Sequence, residues 1–349
     1  MPIGHRLLFT AMATIRDVAT EAGLSTATVS RVMNNNGSVD VALVARVNEA
    51  IDRLGYRANP LGRALRRKRT PIWGFLASDI EAPFFASLLH GLEGQALING
   101  KLLMLCNTGE DLERERQYIQ TALDYQFGGL VIAAASMTAT ELDVLQDEMP
   151  VVLVDRVSAA YPDIDAVLVN NHLGAYSAVT HLLENGYRRI GLVAGPSDIS
   201  TAHERRAGYC SALVDYGIGV TDDLVATGDF FAPSGYAAAT ALVTADQPAD
   251  ALFVANGQMA VGAYAAVRDL GLSIPDELGF ATFDDDLWMT LVEPSITVVR
   301  QPAYELGEAA AHILLRREDV KDPEPGEVAR HILEPELVVR ASSCRGVGP

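Results

Sequence analysis

No apolar run in this chain approaches the ~18 residues that a membrane-spanning helix needs. Cysteine is scarce. Cys106, Cys210 and Cys344 are the only three in 349 residues; they fit no metal-ligand spacing, and an odd count suits a reducing cytosol. HExxH, GxSxG and GxxxxGK[ST] are all missing, and the seven histidines are scattered, so no catalytic constellation and no cofactor site is expected. The acid run Asp284-Asp285-Asp286 invites a metal, but adjacent side chains at a strand end rarely converge on one ion, and none is expected. No secretory leader is expected either. "MPIGHRLLFTAM" carries two cations and an apolar patch too short for one, so residues 1–11 read as a disordered extension, or as sequence upstream of a start at Met12.

What the chain does have is apolar content, 49%, and a length beyond one ordinary core. Its net charge of −18 is unevenly spread. Residues 12–70 hold ten Lys+Arg and five Asp+Glu, a net +5, whereas residues 71–349 hold 16 against 40, a net −24. A small basic head on an acidic body fits nucleic-acid binding by the head.

The head begins with Thr14 and Asp17 at capping-box spacing, followed by the helical stripe Ile15, Val18, Ala19, Ala22 and a stop at Gly23. Ser25 can cap a second helix running to about Asn34, and a third follows Asp40 with Val44, Val47, Ile51 and Leu54 inward. Helix, Gly-containing turn and helix form a helix-turn-helix, whose second helix lies in the DNA major groove. Thr26, Ala27, Thr28 and Ser30 keep that helix short-chained, so its backbone can approach base edges, and Arg31 is the one long side chain, suited to guanine or phosphate. Helix-start amides at Thr14 and Ser25 can hold phosphates.

The stretch "TIRDVATEAGLSTATVSRVMN…GYRANPLGRALRRKRT" resembles the head and hinge of the lactose/galactose repressor (LacI/GalR) family of bacterial transcription regulators. That resemblance implies a hinge helix formed on operator DNA, with Leu65 as a minor-groove wedge and Arg63 and Asn34 as further DNA contacts. Gly62, in the hinge, should make its folding more dependent on DNA.

Past Pro71 short β-rich runs such as "IWGFLAS", "KLLMLCN", "VVLVD", "RIGLVAG" and "LGFATFD" alternate with amphipathic stretches, which reads as α/β with parallel sheets. The strand number exceeds one comfortable sheet, so two Rossmann-like subdomains facing a cleft are expected, with ligands at the strand carboxyl ends. "GPSDISTAHERRAGY", "GDFFAPSGY", "FVANGQMAVGAY" and "FDDDLW…PSITVVRQP" continue the resemblance, here to the two-lobed periplasmic-binding-protein fold.

The fold expected is therefore an all-α helix-turn-helix head on a periplasmic-binding-protein-like α/β body. Its parts are an extension (1–11), the head (12–58), a hinge (59–70), a two-lobed effector-binding and dimerisation domain (71–342) and a flexible tail (343–349). By position, Asp79, Phe84, Phe85, Asp155 and Arg156 follow strands and face the cleft. By resemblance, Arg205 and Asp284 bind the effector, Phe230 is an aromatic wall, and Thr201, Asn256, Gln258 and Trp288 complete the set. Gly257 and Ala82 stand where many relatives carry hydrogen-bonding residues, which leaves the choice of ligand open.

The function this implies is a cytoplasmic homodimeric repressor of carbohydrate use. It would bind pseudo-palindromic operator DNA, respond to a sugar or sugar derivative, and have no membrane partner. Rival readings are a solute-binding protein without a DNA role, a doubly wound enzyme, and a corepressor-dependent regulator of non-sugar metabolism.

Overall fold

A computed structural model describes residues 13–33, 40–56, 69–136, 142–145, 148–319 and 328–345. The chain divides into two units, Met1–Thr70 and Pro71–Pro349.

In the first unit, Thr14 and Asp17 form the reciprocal capping box at the start of α1 (Ile15–Ala22), an arrangement contributing ~1 kcal/mol. Gly23 stops the helix at φ 61°, a left-handed conformation that suits glycine, and Leu24 N–H closes the turn on Ala19 O at 2.9 Å. Ser25 Oγ accepts Thr28 N–H at 3.1 Å and so caps α2 (Thr26–Met33). Asp40 caps α3 (Val41–Leu54). Val18, Ala19, Ala22, Val29, Val47 and Ala50 form the shared core. Leu54, expected inward, is 36% exposed; burial on α3 ends a turn earlier, at Ala50 and Ile51. Arg46 on α3 donates to Ala22 O at 2.6 Å, satisfying a carbonyl that the end of α1 leaves open.

The second unit contains strands β1 (Ile72–Ala77), β2 (Leu102–Asn107), β3 (Gly129–Ile132), β4 (Val151–Val154), β5 (Asp165–Val169), β6 (Ile190–Ala194), β7 (Val225–Thr227), β8 (Ala251–Val254), β9 (Gly279–Phe283), β10 (Thr297–Arg300), β11 (Arg330–Leu333) and β12 (Glu336–Val338). They form two six-stranded sheets, β11-β5-β4-β3-β1-β2 and β12-β10-β9-β8-β6-β7. Helices α4 (Pro83–Ile98), α5 (Leu112–Asp124) and a long C-terminal helix, Ala303–Asp319, cover the first sheet. Gly91 and Gly307 let two of these touch, since a Cβ on either would fall 2.1 Å from a backbone oxygen of the other. Helices α6 (Asn171–Glu184), α7 (Ser200–Asp215), α8 (Ala232–Val243) and α9 (Gly257–Asp269) cover the second sheet.

The chain passes between the lobes at Asn170, at Gln301-Pro302 and at Glu334-Pro335. Every pairing is parallel except β10 with β12. The third crossing explains the exception. β11 ends at the cleft, and two residues carry the chain straight into the other lobe, so β12 runs away from the cleft while its neighbour β10 runs toward it.

The expected tail begins inside the fold at Ser343, although Cys344 after it is exposed. Ser342 and Ser343 are fully buried, Ser342 Oγ donates to Phe280 O at 2.6 Å, and Ser343 Oγ lies 2.6 Å from Thr297 Oγ1 and 2.8 Å from His181 Nε2. The Arg345 guanidinium sits 4.2 Å from the Tyr187 ring centre. Buried hydroxyls and carbonyls need partners, and this segment supplies them.

Candidate functional site

On the head, α2 buries Val29 and leaves the opposite side open. Ser25, Thr26, Ala27 and Arg31 are exposed, Thr28 and Ser30 half-buried. Thr26, Ala27, Ser30 and Arg31 line one groove with Ile15 and Arg16 of α1. Its lining combines the short side chains of α2 with two arginines, a composition and charge that suit a nucleic-acid backbone and base edge. Thr14 Oγ1 is turned back onto Asp17 at 2.8 Å. Asn34, Arg63 and Leu65 lie outside the described residues.

In the body, a cleft opens where the carboxyl ends of the two sheets face each other. Asp79 follows β1, Glu110 follows β2, Asp155 and Arg156 follow β4, Phe230 and Phe231 follow β7, Asn256 follows β8, Asp284 follows β9 and Gln301 follows β10; all line it. Phe84, Phe85, Thr201 and Arg205 enter from helix starts. Backbone strain gathers here. Among the described residues five non-glycines have positive φ, and four of them line the cleft: Glu110 (61°), Asp155 (63°), Phe230 (73°) and Asp284 (69°). Such conformations cost ~1–3 kcal/mol each and persist where surrounding contacts enforce them.

The electrostatics are layered. Arg156, 6% exposed, forms a two-pronged pair with Glu110 (2.6 and 2.8 Å) and lies 5.3 Å from the Phe230 ring centre. Arg205, 4% exposed, donates Nε to Asn171 Oδ1 at 2.7 Å and Nη1 to Ala255 O at 2.6 Å, and stacks 3.8 Å from the Phe283 ring centre. Its Nη2 makes no hydrogen bond among the described residues. Asp284 accepts Gly257 N–H at 2.9 Å and Gln301 Nε2 at 2.6 Å. Burial pushes the Asp155 carboxyl above the usual aspartate range, although Arg156 and Arg205 pull the other way. Burial likewise raises Asp79 and lowers Arg205. Behind the cleft, burial and the neighbouring Asp284 push Asp286 up to about 6.

Two expected residues stand apart from this lining. Gln258 instead donates to Glu81 O at 3.2 Å, bridging the lobes at the cleft edge. Trp288 packs on Tyr264 at 5.6 Å and closes the end of a core cluster. Asn256 lines the cleft, but its side chain is committed to protein: Oδ1 caps Met259 N–H and Nδ2 donates to Phe230 O, both at 3.0 Å. Glu110, Phe231 and Gln301 were not singled out from sequence. A strand-end signal was available for each, in "CNTGED", "GDFF" and "VVRQP".

Residues 14–59 match the lacI family of bacterial regulatory proteins, and residues 179–343 match a periplasmic binding protein-like domain. The chain is 32% identical over 335 residues to the HTH-type transcriptional repressor PurR of Aliivibrio salmonicida, covering 95% of this chain and 99% of that one. Among solved structures it resembles the transcriptional regulator CelR–cellobiose complex (TM-score 0.71, 29% identity, 95% of this chain and 99% of that one). It also shares the fold of the lac repressor dimer bound to operator and the anti-inducer ONPF (TM-score 0.81, 23% identity, 96% and 100%). A helix-turn-helix head, a two-lobed ligand cleft and this full-length similarity together establish that the chain belongs to the lacI family and is a ligand-responsive, DNA-binding transcriptional regulator.

Proposed function

We propose that the protein is a cytoplasmic homodimeric repressor whose cleft takes an uncharged, polyhydroxylated ligand, a sugar or close derivative. The observation that carries this reading is the acid balance of the cleft. Four carboxylates, Asp79, Glu110, Asp155 and Asp284, meet two guanidinium groups, and Arg156 is already paired with Glu110. The remaining carboxylates suit hydroxyl donors, while an anionic ligand would meet a like-charged wall. Phe84, Phe85, Phe230 and Phe231 offer faces for the C–H side of a sugar ring. The cellobiose bound in CelR supports the same ligand class.

Two apolar surfaces support a second copy as partner. Ile98, Leu97 and Leu102 are 79, 60 and 62% exposed, and they lie on α4 and the edge strand β2 beside Met104 and Leu105. Phe231, Tyr236, Val261, Leu287 and Leu291 are exposed on the other lobe. An edge strand carrying large apolar residues invites a cover. A dimer would bring two heads to a two-fold operator, with Thr26, Ala27, Ser30 and Arg31 at base edges and Thr14, Ser25 and Thr28 near phosphates. Among the described residues no helix is long and apolar enough to cross a membrane.

A thermal-shift screen of neutral sugars, sugar acids and nucleobases, repeated with operator selected from random duplexes, tests the ligand class. Neutral sugars should raise Tm. Stabilisation by sugar acids or nucleobases alone would refute the reading.

A further inference from the structure

The turn that carries Asp284 is held from outside the cleft. Asp284 leaves β9 at φ 69°, unfavourable for any residue with a Cβ. Its neighbour Asp285 accepts Arg340 Nη2 on both oxygens, at 2.7 and 2.9 Å, and Arg300 Nε and Nη2 at 2.9 and 2.6 Å. Arg300 is half exposed, but the Arg340 and Asp285 side chains are only 13 and 12% exposed, so water and salt screen their pairing little. Arg340 is fixed in turn. Its Nη1 donates to Ile296 O at 3.0 Å, and its backbone N–H and carbonyl both bond Thr297 Oγ1, at 2.8 and 2.9 Å. One residue further on come the buried Ser342 and Ser343.

We infer that Arg340, which does not line the cleft, is a positioning residue: through Asp285 it holds the strained turn that aims the Asp284 carboxylate. The C-terminal segment is thereby part of the effector site's mechanics. This deepens the reading of Asp284 as an effector contact and rests on it.

A reporter for that aim exists within the protein. Gly257 opens α9, so its N–H has no acceptor within the helix, and among the described residues it is satisfied by Asp284 Oδ2 alone. Its exchange with solvent therefore reads the Asp284 orientation without any ligand. In the full-length protein, hydrogen–deuterium exchange of Gly257 should quicken at least tenfold in Arg340→Met. In Arg340→Lys, which keeps a donor for Asp285, it should return most of the way. Amides of β6 and β8 should stay as in the wild type in both variants. Unchanged Gly257 exchange in Arg340→Met, or a rise spread evenly over the whole lobe, would overturn the inference; the second result would make Arg340 a support of the lobe and nothing more. Because no ligand is present, either failure is separate from a failure of Asp284→Ala to weaken sugar binding, which would count against the effector reading instead.

Discussion

Replacing Arg205 by alanine removes the side chain at the centre of the proposed ligand site. Two charge-assisted hydrogen bonds, to Asn171 Oδ1 and Ala255 O, are lost, each contributing ~1.5–3 kcal/mol. The stack on Phe283 goes with them, and desolvated cation–π contacts contribute up to ~2 kcal/mol. Against this, a buried guanidinium carries a desolvation cost of several kcal/mol, the same cost that lowers its pKa here, and alanine relieves it. A net loss of ~2–4 kcal/mol follows, which in a body of this size is a fall in Tm of roughly 4–8 °C. Asp155 and Asp284 also lose a neighbouring cation, so affinity for the proposed sugar should fall at least about tenfold, or ~1.4 kcal/mol. Thermal melting and calorimetry with the sugar found by screening measure the two effects. Arg205→Lys keeps the charge but not the fork, and should lie between. A variant melting within about 2 °C of wild type and binding sugar normally would mean that the guanidinium is a passenger and that the cleft has been misread.

Arg31→Ala should weaken specific operator binding by ~1–3 kcal/mol and non-specific binding less, if Arg31 reads guanine; an unchanged specificity ratio in competition assays would leave it a phosphate contact. Asp286 has a folded pKa of about 6 against an ordinary 3.8, so the folded state binds more protons between those values and stability falls as pH rises from about 4 to about 6. Asp286→Asn should therefore raise Tm at pH 7 and flatten the Tm–pH curve across that window; a Tm lowered at pH 7 would contradict the sign. Ile98→Glu places a charge on the exposed apolar face of α4 and β2 and should convert dimer to monomer in light scattering, with operator affinity falling steeply; a stable dimer would move the interface elsewhere.

Much of this was legible because local signals agreed with the fold. Thr14, Gly23 and Ser25 state the helix boundaries of the head in their own chemistry, and the apolar runs of β1, β4 and β9 are buried on both sheet faces, as their composition requires. The cleft was partly legible, since the residue after a parallel strand faces the ligand end. Resolution ended where a side chain's partner lay far away in sequence. Gln258 and Gln301 look equally polar in isolation, yet the first bonds Glu81 in the other lobe while the second reaches Asp284 from a lobe crossing. Glu110 carried a strand-end signal, but its two-pronged pairing with Arg156, 46 positions on, lay beyond any local reading. Trp288 offered an aromatic face that the core, through Tyr264, had already taken. The burial of Ser342 and Ser343 was hidden for the same reason: they are small polar residues near a terminus, and only their pairing with Phe280 O and Thr297 makes them core.

Coupling between cleft and head is tested most directly by reciprocity. A ligand can shift operator affinity only by its differential affinity for the two states, so the factor by which saturating sugar changes the operator Kd must equal the factor by which operator changes the sugar Kd. Measured by fluorescence anisotropy and calorimetry on one preparation, both factors should agree at roughly 5–150-fold, the usual range for such coupling. An operator Kd that saturating sugar leaves unchanged would contradict the assignment of this cleft as the switch.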